Sequence, residues 1–301
     1  MPAEAPSIDC QQLFRQLIEE PVTARLLALT PDSCLRELAE QMAAEDLYHF
    51  ASVTRAAATM LNLTGDADQF VRDHIEHQLW VHKRRALWLS KRIQSEHGVG
   101  LGWHIEGEEN FRATQGRPTI LISPMMIPYE DALWISSRML SPREVAIYGE
   151  GLAPDEVHGQ IQKIFGLESI RLVDNPLTIL RVLHKGGVFL TYPDFVYQDH
   201  LAHHVQFFGM RWPMSSGFIS ICSQPGILLT PACLERQANE VVIHVGEPVE
   251  VHLPEGPPDK RWTHHLVGAA IARMLEEMVL RNPAQWQLLP TLIAHCSQRA
   301  T

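Results

Sequence analysis

The sequence predicts an α/β fold with a mostly parallel central sheet flanked by helices and preceded by a helical N-terminal region. Three observations favour this prediction. Apolar residues recur at helical spacing from residue 8 to about residue 97, the period changes after Gly116-Arg117-Pro118, and short apolar runs then alternate with helical segments. Such alternation is typical of α/β sheets. We therefore expect a helical region over residues 1–100 and an α/β domain over residues 101–301, integrated into one structural unit.

Three helices are predicted in the N-terminal region. One begins after Pro31-Asp32-Ser33, where a polar side chain can cap the first turn. Another runs from about Leu47 to Gly65, a residue type that commonly ends helices. The third starts at Asp66 and keeps its apolar residues at near-helical spacing until Gly98.

The elements of the α/β domain are predicted from apolar runs bounded by Gly and Pro. Pro176 opens a helix that Gly186-Gly187 closes, a short helix is expected near residues 217–223, and residues 262–281 have the spacing of a final amphipathic helix. The predicted strands are residues 119–123, 145–149, 188–192, 205–208, 227–230 and 241–245.

Composition and charge exclude several classes of protein. Of the 301 residues 46% are apolar and 20% are charged, which is the composition of a globular chain. The 25 Lys and Arg against 35 Asp and Glu give a net charge of −10, which argues against nucleic-acid binding, because that requires a basic face. Five scattered Cys predict neither a disulfide framework nor a zinc site, and they fit a reducing cytoplasm. No secretory signal and no uncharged apolar run of about 18 residues is visible, so we expect no transmembrane anchor.

The third predicted helix carries a basic cluster of Lys83, Arg84, Arg85, Lys91 and Arg92. One interpretation is an ordinary solvated helix face. The other is a docking surface for an acidic partner, formed by Lys83, Arg84, Arg85 and Arg92, which stands out on so acidic a chain.

A series of short motifs occurs in a fixed order between residues 175 and 236. A helix ending in Gly186-Gly187 is followed by a strand, by Tyr192-Pro193-Asp194, by Phe207-Phe208-Gly209, by a helix containing Gly217 and by a strand ending in Pro231. In this order the motifs resemble the lysophospholipid acyltransferase superfamily, specifically its bacterial lipid A late acyltransferase (lauroyl/myristoyl) branch. The resemblance implies a glycerolipid acyltransferase-like fold without a cofactor. It covers about residues 55–290, with further matches at Asn62-Leu63, His104–Glu109 and Asn282–Trp286.

The resemblance implies transfer of an acyl group from a thioester of coenzyme A or acyl carrier protein to an alcohol or an amine. The signature of the superfamily is a His, four residues, and then Asp or Glu; the His is the general base and the carboxylate orients it. Counting back from Glu130 places Met125 where the family has this His. Because a thioether cannot accept a proton near neutral pH, the usual mechanism is not available at this position.

Three explanations of Met125 stay open: another residue supplies the base, the acceptor needs none, or the domain no longer catalyses. Glu130 is the first candidate for a replacement base. His203 and His204 are the second, because the resemblance places their loop near the cleft, although a polar surface loop would look the same. His200 with His203 or His204 has a helical spacing that could serve a metal ion, but no further ligand completes such a site. We therefore expect no metal.

Five positions are candidates for substrate binding: Met125, Tyr129, Asp131, Asp194 and Arg236. Asp194 follows a strand end, where α/β sheets often place ligand contacts, and a turn Asp is the equal alternative. Asp131 stands at a strand-to-helix junction, where a carboxylate also favours the start of a helix. Arg236 corresponds to a basic position of the family and is equally compatible with a surface Arg.

Two features of the lipid A branch are missing from the sequence. There is no N-terminal membrane anchor, and no basic cluster follows Trp286. We therefore expect a cytoplasmic acyltransferase with an altered motif that acts on a soluble or carrier-bound acceptor in a specialised biosynthetic pathway. The opposing hypothesis is a non-catalytic pseudoacyltransferase that binds or presents an acyl chain or a carrier protein. A peripheral membrane contact stays open under both.

Overall fold

The chain divides into two compact units, one mainly helical and one α/β. The computed structural model describes residues 21–63, 65–90, 93, 99–148, 163, 170–173, 175–194, 202–251 and 259–292. The helical unit comprises Met1–Ile93 together with Pro283–Thr301, and the α/β unit comprises Gln94–Asn282. The sequence placed the segment after residue 282 in the α/β domain. In the structure this segment belongs to the helical unit, because Pro283–Gln285 packs against a helix of that unit.

The helical unit is built around one long helix, α4. Its described helices are α1 (Pro21–Leu29), α2 (Leu35–Ala44), α3 (Phe50–Met60) and α4 (Ala67–Leu89). Helices α1, α2 and α3 each pack against α4. The side chain of Asp66 caps α4 by accepting hydrogen bonds from the N–H groups of Asp68 and Gln69, so the predicted start of this helix is confirmed. The described helix ends at Leu89, and residues 94–98, which precede its predicted end, lie outside the described residues.

Among the described residues, the α/β unit contains the predicted strands and helices and adds four strands that the sequence did not predict, at Gly102–Glu106, Ile170–Val173, Met210–Ser215 and Val249–Glu250. Its helices are α5 (Glu108–Ala113), α6 (Tyr129–Leu140), α7 (Pro176–His184), α8 (Ser216–Cys222) and α9 (Lys260–Arg281). Its strands are β1 (Gly102–Glu106), β2 (Thr119–Ile122), β3 (Val145–Tyr148), β4 (Ile170–Val173), β5 (Val188–Thr191), β6 (Ala202–Phe207), β7 (Met210–Ser215), β8 (Leu228–Gln237), β9 (Glu240–Val245) and β10 (Val249–Glu250).

The central sheet is mostly parallel, as predicted. Its strand order is β1-β9-β8-β2-β5-β3-β4, and β10 pairs with β8. The pairs β1–β9, β8–β2, β2–β5, β5–β3 and β3–β4 are parallel, whereas β8–β9 and β8–β10 are antiparallel. Strands β6 and β7 form a separate antiparallel hairpin, so the predicted strand at 205–208 exists but does not join the central sheet.

The connections of β2 and β5 leave these neighbouring strands in opposite directions. From β2 the chain passes through α6 and crosses β5 to reach β3; from β5 it passes through β6, β7 and α8 and crosses β2 to reach β8. Because such crossovers are right-handed, the two connections lie on opposite faces of the sheet. The pair β2–β5 is therefore a topological switch point, and in α/β sheets ligands bind outside the carboxyl ends of the strands at such a point.

Ring contacts identify the two faces. Phe189 in β5 meets Phe218 of α8 with ring centroids 6.3 Å apart. Tyr192, three residues later, meets Tyr129 at the start of α6, also at 6.3 Å. Side chains an odd number of residues apart on an extended strand point to opposite faces, so α8 and α6 cover different sides of the sheet. Among the described helices none is long and apolar enough to cross a membrane.

Candidate functional site

The switch point brings together two segments that the sequence marked for function. Ser123–Pro128 follows β2, and Tyr192–Asp194 follows β5. Ile122 pairs with Thr191 at the last rung of the two strands, and the N–H of Ser123 donates to the carbonyl oxygen of Thr191 at 3.1 Å. The parallel ladder therefore holds the starts of the two loops beside each other at the carboxyl edge of the sheet.

Met125 and Asp194 are joined by a hydrogen bond between these loops. The N–H of Met125 donates to Oδ2 of Asp194 at 2.9 Å, and Asp194 is fully buried. The side chain of Met125 is itself buried and carries no titratable group. At least one oxygen of Asp194 therefore positions the loop that follows β2, a role that sequence reasoning did not assign to it.

Glu130 and Asp131 occupy the first turn of α6. Both are fully buried, as are most residues of this helix. Carboxylates in the first turn of a helix are favoured by the helix dipole, which explains why the chain can begin a buried helix with two acidic residues. The predicted spacing from Met125 to Glu130 thus spans the loop after β2 and ends on α6, inside the α/β unit.

Tyr129 and Tyr192 line the same edge with their aromatic rings. The rings meet edge to face at an angle of 70°. The pKa of Tyr129 is raised mainly by burial. The neighbouring Tyr192 and then the charge of Glu130 raise it further. Burial and then the charge of Asp194 raise the pKa of Tyr192. Both phenols therefore stay protonated over the physiological pH range.

Tyr192 is a residue that the sequence did not single out. It is only 6% exposed, and its hydroxyl has no hydrogen-bond partner among the described residues. Its position directly after a buried strand, in the motif Tyr192-Pro193-Asp194, was the available signal, because side chains at such strand ends face ligands in α/β sheets.

His203 and His204 lie on strand β6, against the first half of α9. The ring of His203 is 5.6 Å from that of His264, and an added Cβ on Gly268 would come within 3.7 Å of it. Burial, followed by the charges of His264, His265 and His204, lowers the pKa of His203. The Arg211 guanidinium lies 3.1 Å from Nδ1 of His204.

The second half of α9 lies against β8, the strand next to β2. Sγ of Cys233, two residues past Pro231, lies 3.8 Å from the carbonyl oxygen of Met278, and Pro231 pairs with Ile122 at the end of β2. From His264 to Met278 the helix rises roughly 21 Å. The described contacts therefore do not bring His203 or His204 together with Glu130.

The remaining candidates take other positions. Arg236 is on β8, where its Nε donates to the carbonyl oxygen of Ala238 at 3.4 Å in the turn to β9. His200 lies outside the described residues, and among those that are described no group of three or more His, Cys, Asp or Glu side chains could hold a metal ion.

The basic cluster on α4 is not an exposed face in the helical unit. Arg84 is only 7% exposed, Arg85 is half-buried, and Lys83 forms an ion pair with Asp32. Lys91 and Arg92 lie outside the described residues. Of the four predicted docking residues, three are described, and none of them is fully exposed.

A comparison with solved structures found similarity to an acyltransferase structure. It is the 1-acyl-sn-glycerophosphate (LPA) acyltransferase PlsC from Thermotoga maritima, with 14% sequence identity and a TM-score of 0.35 over 80% of this chain and 97% of that chain. No protein-family model matches the chain, and no curated protein matches its sequence.

Proposed function

We propose that this protein is an acyltransferase that acts on an acyl chain held as a thioester by acyl carrier protein or coenzyme A. The acceptor would be a soluble or carrier-bound alcohol or amine in a specialised biosynthetic pathway. The observation that supports the proposal is the meeting of the loop from Met125 to Glu130 with Asp194 at the switch point. These are the segments that the resemblance marked for function, and the general rule for α/β sheets favours ligand binding at this edge.

Acyl transfer needs few groups from the protein. The oxygen or nitrogen of the acceptor attacks the thioester carbonyl, the carbon–sulfur bond breaks, and the thiolate leaves and takes up a proton. A general base that removes the proton of the acceptor accelerates this step. Glu130 is the first candidate for that base, because its carboxylate belongs to the altered motif and lies at the edge where the two loops meet.

His203 and His204 are the second candidates for the base. They rank second because their described contacts are with α9 and with Arg211. His203 would nevertheless be a neutral imidazole at working pH, since its pKa is lowered, and neutral imidazole can accept a proton.

The decisive experiment follows the acyl chain by mass spectrometry. The full chain is incubated with acyl-loaded carrier protein or acyl-coenzyme A, together with candidate amines and alcohols. Loss of the acyl group from the thioester, matched by an acylated acceptor and dependent on the protein, supports acyl transfer. A thioester that stays intact with every acceptor contradicts it.

A non-catalytic acyl-binding protein is the second candidate function. It is favoured by the thioether of Met125, which stands where the resemblance places the family's base and cannot accept a proton near neutral pH. Under this hypothesis the same incubation gives a stable complex with the acyl-loaded carrier and no change in the mass of the carrier.

Docking of an acidic carrier on α4 is a further part of the proposal. Arg85 is the residue to test, because it is half-buried whereas Arg84 is only 7% exposed. Replacing Arg85 by Glu should weaken carrier binding more strongly at low salt, where charges interact over longer distances. Unchanged affinity at all salt concentrations would remove this surface from the proposal.

A further inference from the structure

The hydroxyl of Tyr192 is a buried hydrogen-bonding group that the described part of the fold does not use. Tyr192 is 6% exposed, and Oη has no hydrogen-bond partner among the described residues. Buried polar groups in proteins are almost always paired with protein or with ordered water, because an unpaired group loses its bonds to solvent. An unpaired hydroxyl at a ligand-binding edge therefore points to a partner that arrives with a ligand.

The position of Tyr192 places this hydroxyl at the switch point. The residue directly follows β5 and stands beside Ser123, one rung beyond the pair Ile122–Thr191. Its ring packs edge to face on Tyr129, at the start of the helix that carries Glu130. The hydroxyl is thus on the α6 side of the sheet, the same side as the altered motif.

The groups around Tyr192 indicate which kind of ligand atom can accept a hydrogen bond from its hydroxyl. Burial and the neighbouring charge of Asp194 raise the pKa of Tyr192, so the hydroxyl stays protonated and can donate. The same negative charge would repel a phosphate or carboxylate placed against the ring. A neutral acceptor such as a carbonyl oxygen meets both conditions.

We propose that the hydroxyl of Tyr192 donates a hydrogen bond to the carbonyl oxygen of the bound acyl thioester. This inference rests on the proposed function and deepens it, because it makes Tyr192 the residue that distinguishes a carbonyl-bearing chain from a plain alkyl chain. Tyr192 is then a substrate-binding residue, and its side chain is held in place by the aromatic contact with Tyr129.

Two coenzyme A thioethers of equal chain length test this hydrogen bond, because their chains cannot be transferred to an acceptor. In S-(oxotridecyl)-coenzyme A a methylene group separates the sulfur from a ketone carbonyl, and S-tridecyl-coenzyme A lacks the carbonyl. Calorimetric titration of the full chain should show that the ketone binds roughly fivefold to tenfold more tightly, as expected for one added hydrogen bond. Tyr192→Phe should bind both ligands equally, with unchanged affinity for S-tridecyl-coenzyme A.

Two controls separate binding from folding. Tyr192→Phe should not lower the melting temperature of the ligand-free protein, because no hydrogen bond of the folded state is lost. Thr230→Val removes another fully buried hydroxyl without a described partner, but Thr230 pairs with Leu121 and lies two residues inside the edge at Ser123. This variant should keep the preference for the ketone.

Each remaining outcome overturns a specific statement. Equal binding of both ligands by the natural protein, or a preference that survives Tyr192→Phe, overturns the role of Tyr192 and leaves acyl binding standing. Loss of the preference in Thr230→Val as well assigns the effect to packing and also overturns that role. Binding of neither ligand overturns the use of coenzyme A thioesters in the proposed function, and with it the role of Tyr192 in binding them.

Discussion

Met125 is held at the end of β2 through its backbone rather than through its side chain. Its N–H is buried and donates to Oδ2 of Asp194, which is itself fully buried. In this arrangement the residue type at position 125 can change without loss of the loop anchor, because the anchor uses a main-chain group. The loop can therefore stay attached to Asp194, after β5, whatever side chain stands at position 125.

The first prediction concerns this anchor. Asp194→Ala leaves the buried N–H of Met125 without an acceptor and should lower the free energy of unfolding by about 1–3 kcal/mol. Asp194→Asn keeps an acceptor oxygen of similar reach and should cost less than the alanine variant. Urea denaturation of both variants measures the difference. Equal losses would show that the charge of Asp194, and not its bond to Met125, carries the stabilisation.

The second prediction concerns the candidate base. Glu130→Gln keeps the volume of the side chain but removes its ionisation, so it should lower turnover roughly 10²-fold or more if Glu130 is the base. His203→Ala and His204→Ala are the matched variants and should keep most of the activity. The acyl-transfer assay with intact-mass detection measures all three. An active Glu130→Gln protein together with an inactive histidine variant would reverse the ranking of the two candidates.

At the scale of elements, the turn between β1 and α5 depends on the absence of a side chain. Gly107 has a φ of +80°, and a Cβ added there would lie 2.2 Å from the carbonyl oxygen of Val245. That oxygen also accepts a hydrogen bond from Nδ2 of Asn110 at 2.9 Å. The turn therefore fits closely against the end of β9, the strand that pairs with β1.

The third prediction uses this close approach. Gly107→Ala should be strongly destabilising, because the carbonyl of Val245 must move and its bond to Asn110 must change. Gly116→Ala is the matched control: Gly116 has a φ of +72° but nothing within 4 Å of its added Cβ. The free energy of unfolding of the control should therefore fall by only about 1–2 kcal/mol, the cost of a left-handed backbone conformation for a residue with a Cβ. Thermal or urea unfolding of the two variants compares them, and equal losses would contradict the proposed clash.

The hairpin β6–β7 shows that a strand can be predicted correctly from the sequence while the sheet it joins is not. The apolar run at 205–208 predicted a strand, and β6 covers most of it, but its partner is β7 rather than the central sheet. The hairpin packs on α9, where Val205 approaches Gly268 so closely that an added Cβ would meet its Cγ1 at 2.7 Å. Local periodicity reports that one side of a strand is covered, but it does not identify the covering element.

At the scale of the whole molecule, a buried histidine connects two segments of the helical unit that are far apart in the sequence. Nδ1 of His74 in α4 donates to the carbonyl oxygen of Ala284 at 2.8 Å, since a carbonyl can only accept. The side-chain amide of Gln78 lies 3.5 Å from Nε2. Burial lowers the pKa of His74 from 6.5 to about 4, against the opposing effect of the bond to Ala284. The folded protein therefore holds this ring neutral.

The fourth prediction follows from the sign of that shift. Between pH 6.5 and pH 4 the unfolded chain binds a proton at His74 that the folded chain does not, so stability falls as the pH falls. His74 alone should remove about 2 kcal/mol of stability between pH 7 and pH 5. His74→Gln, which keeps a donor for Ala284, should show a smaller loss over the same range. Urea denaturation at the two pH values measures this, and an identical loss in the variant would exclude His74 as the cause.

By itself the sequence determined the α/β class, the start of most elements and the chain order of the motifs. These properties are local: a helical or strand period, a capping Asp66, or a Gly-Gly stop is encoded within about ten residues. The spacing from Met125 to Glu130 is also local, so it can be read from the sequence alone.

Only the tertiary structure decided which of these local features meet. It joined Met125 to Asp194, placed His203 beside His264 of α9, buried Arg84 and left the hydroxyl of Tyr192 without a partner among the described residues. Strand order and the packing of one element on another depend on contacts between residues far apart in the chain, and no period or spacing within a segment specifies its partner.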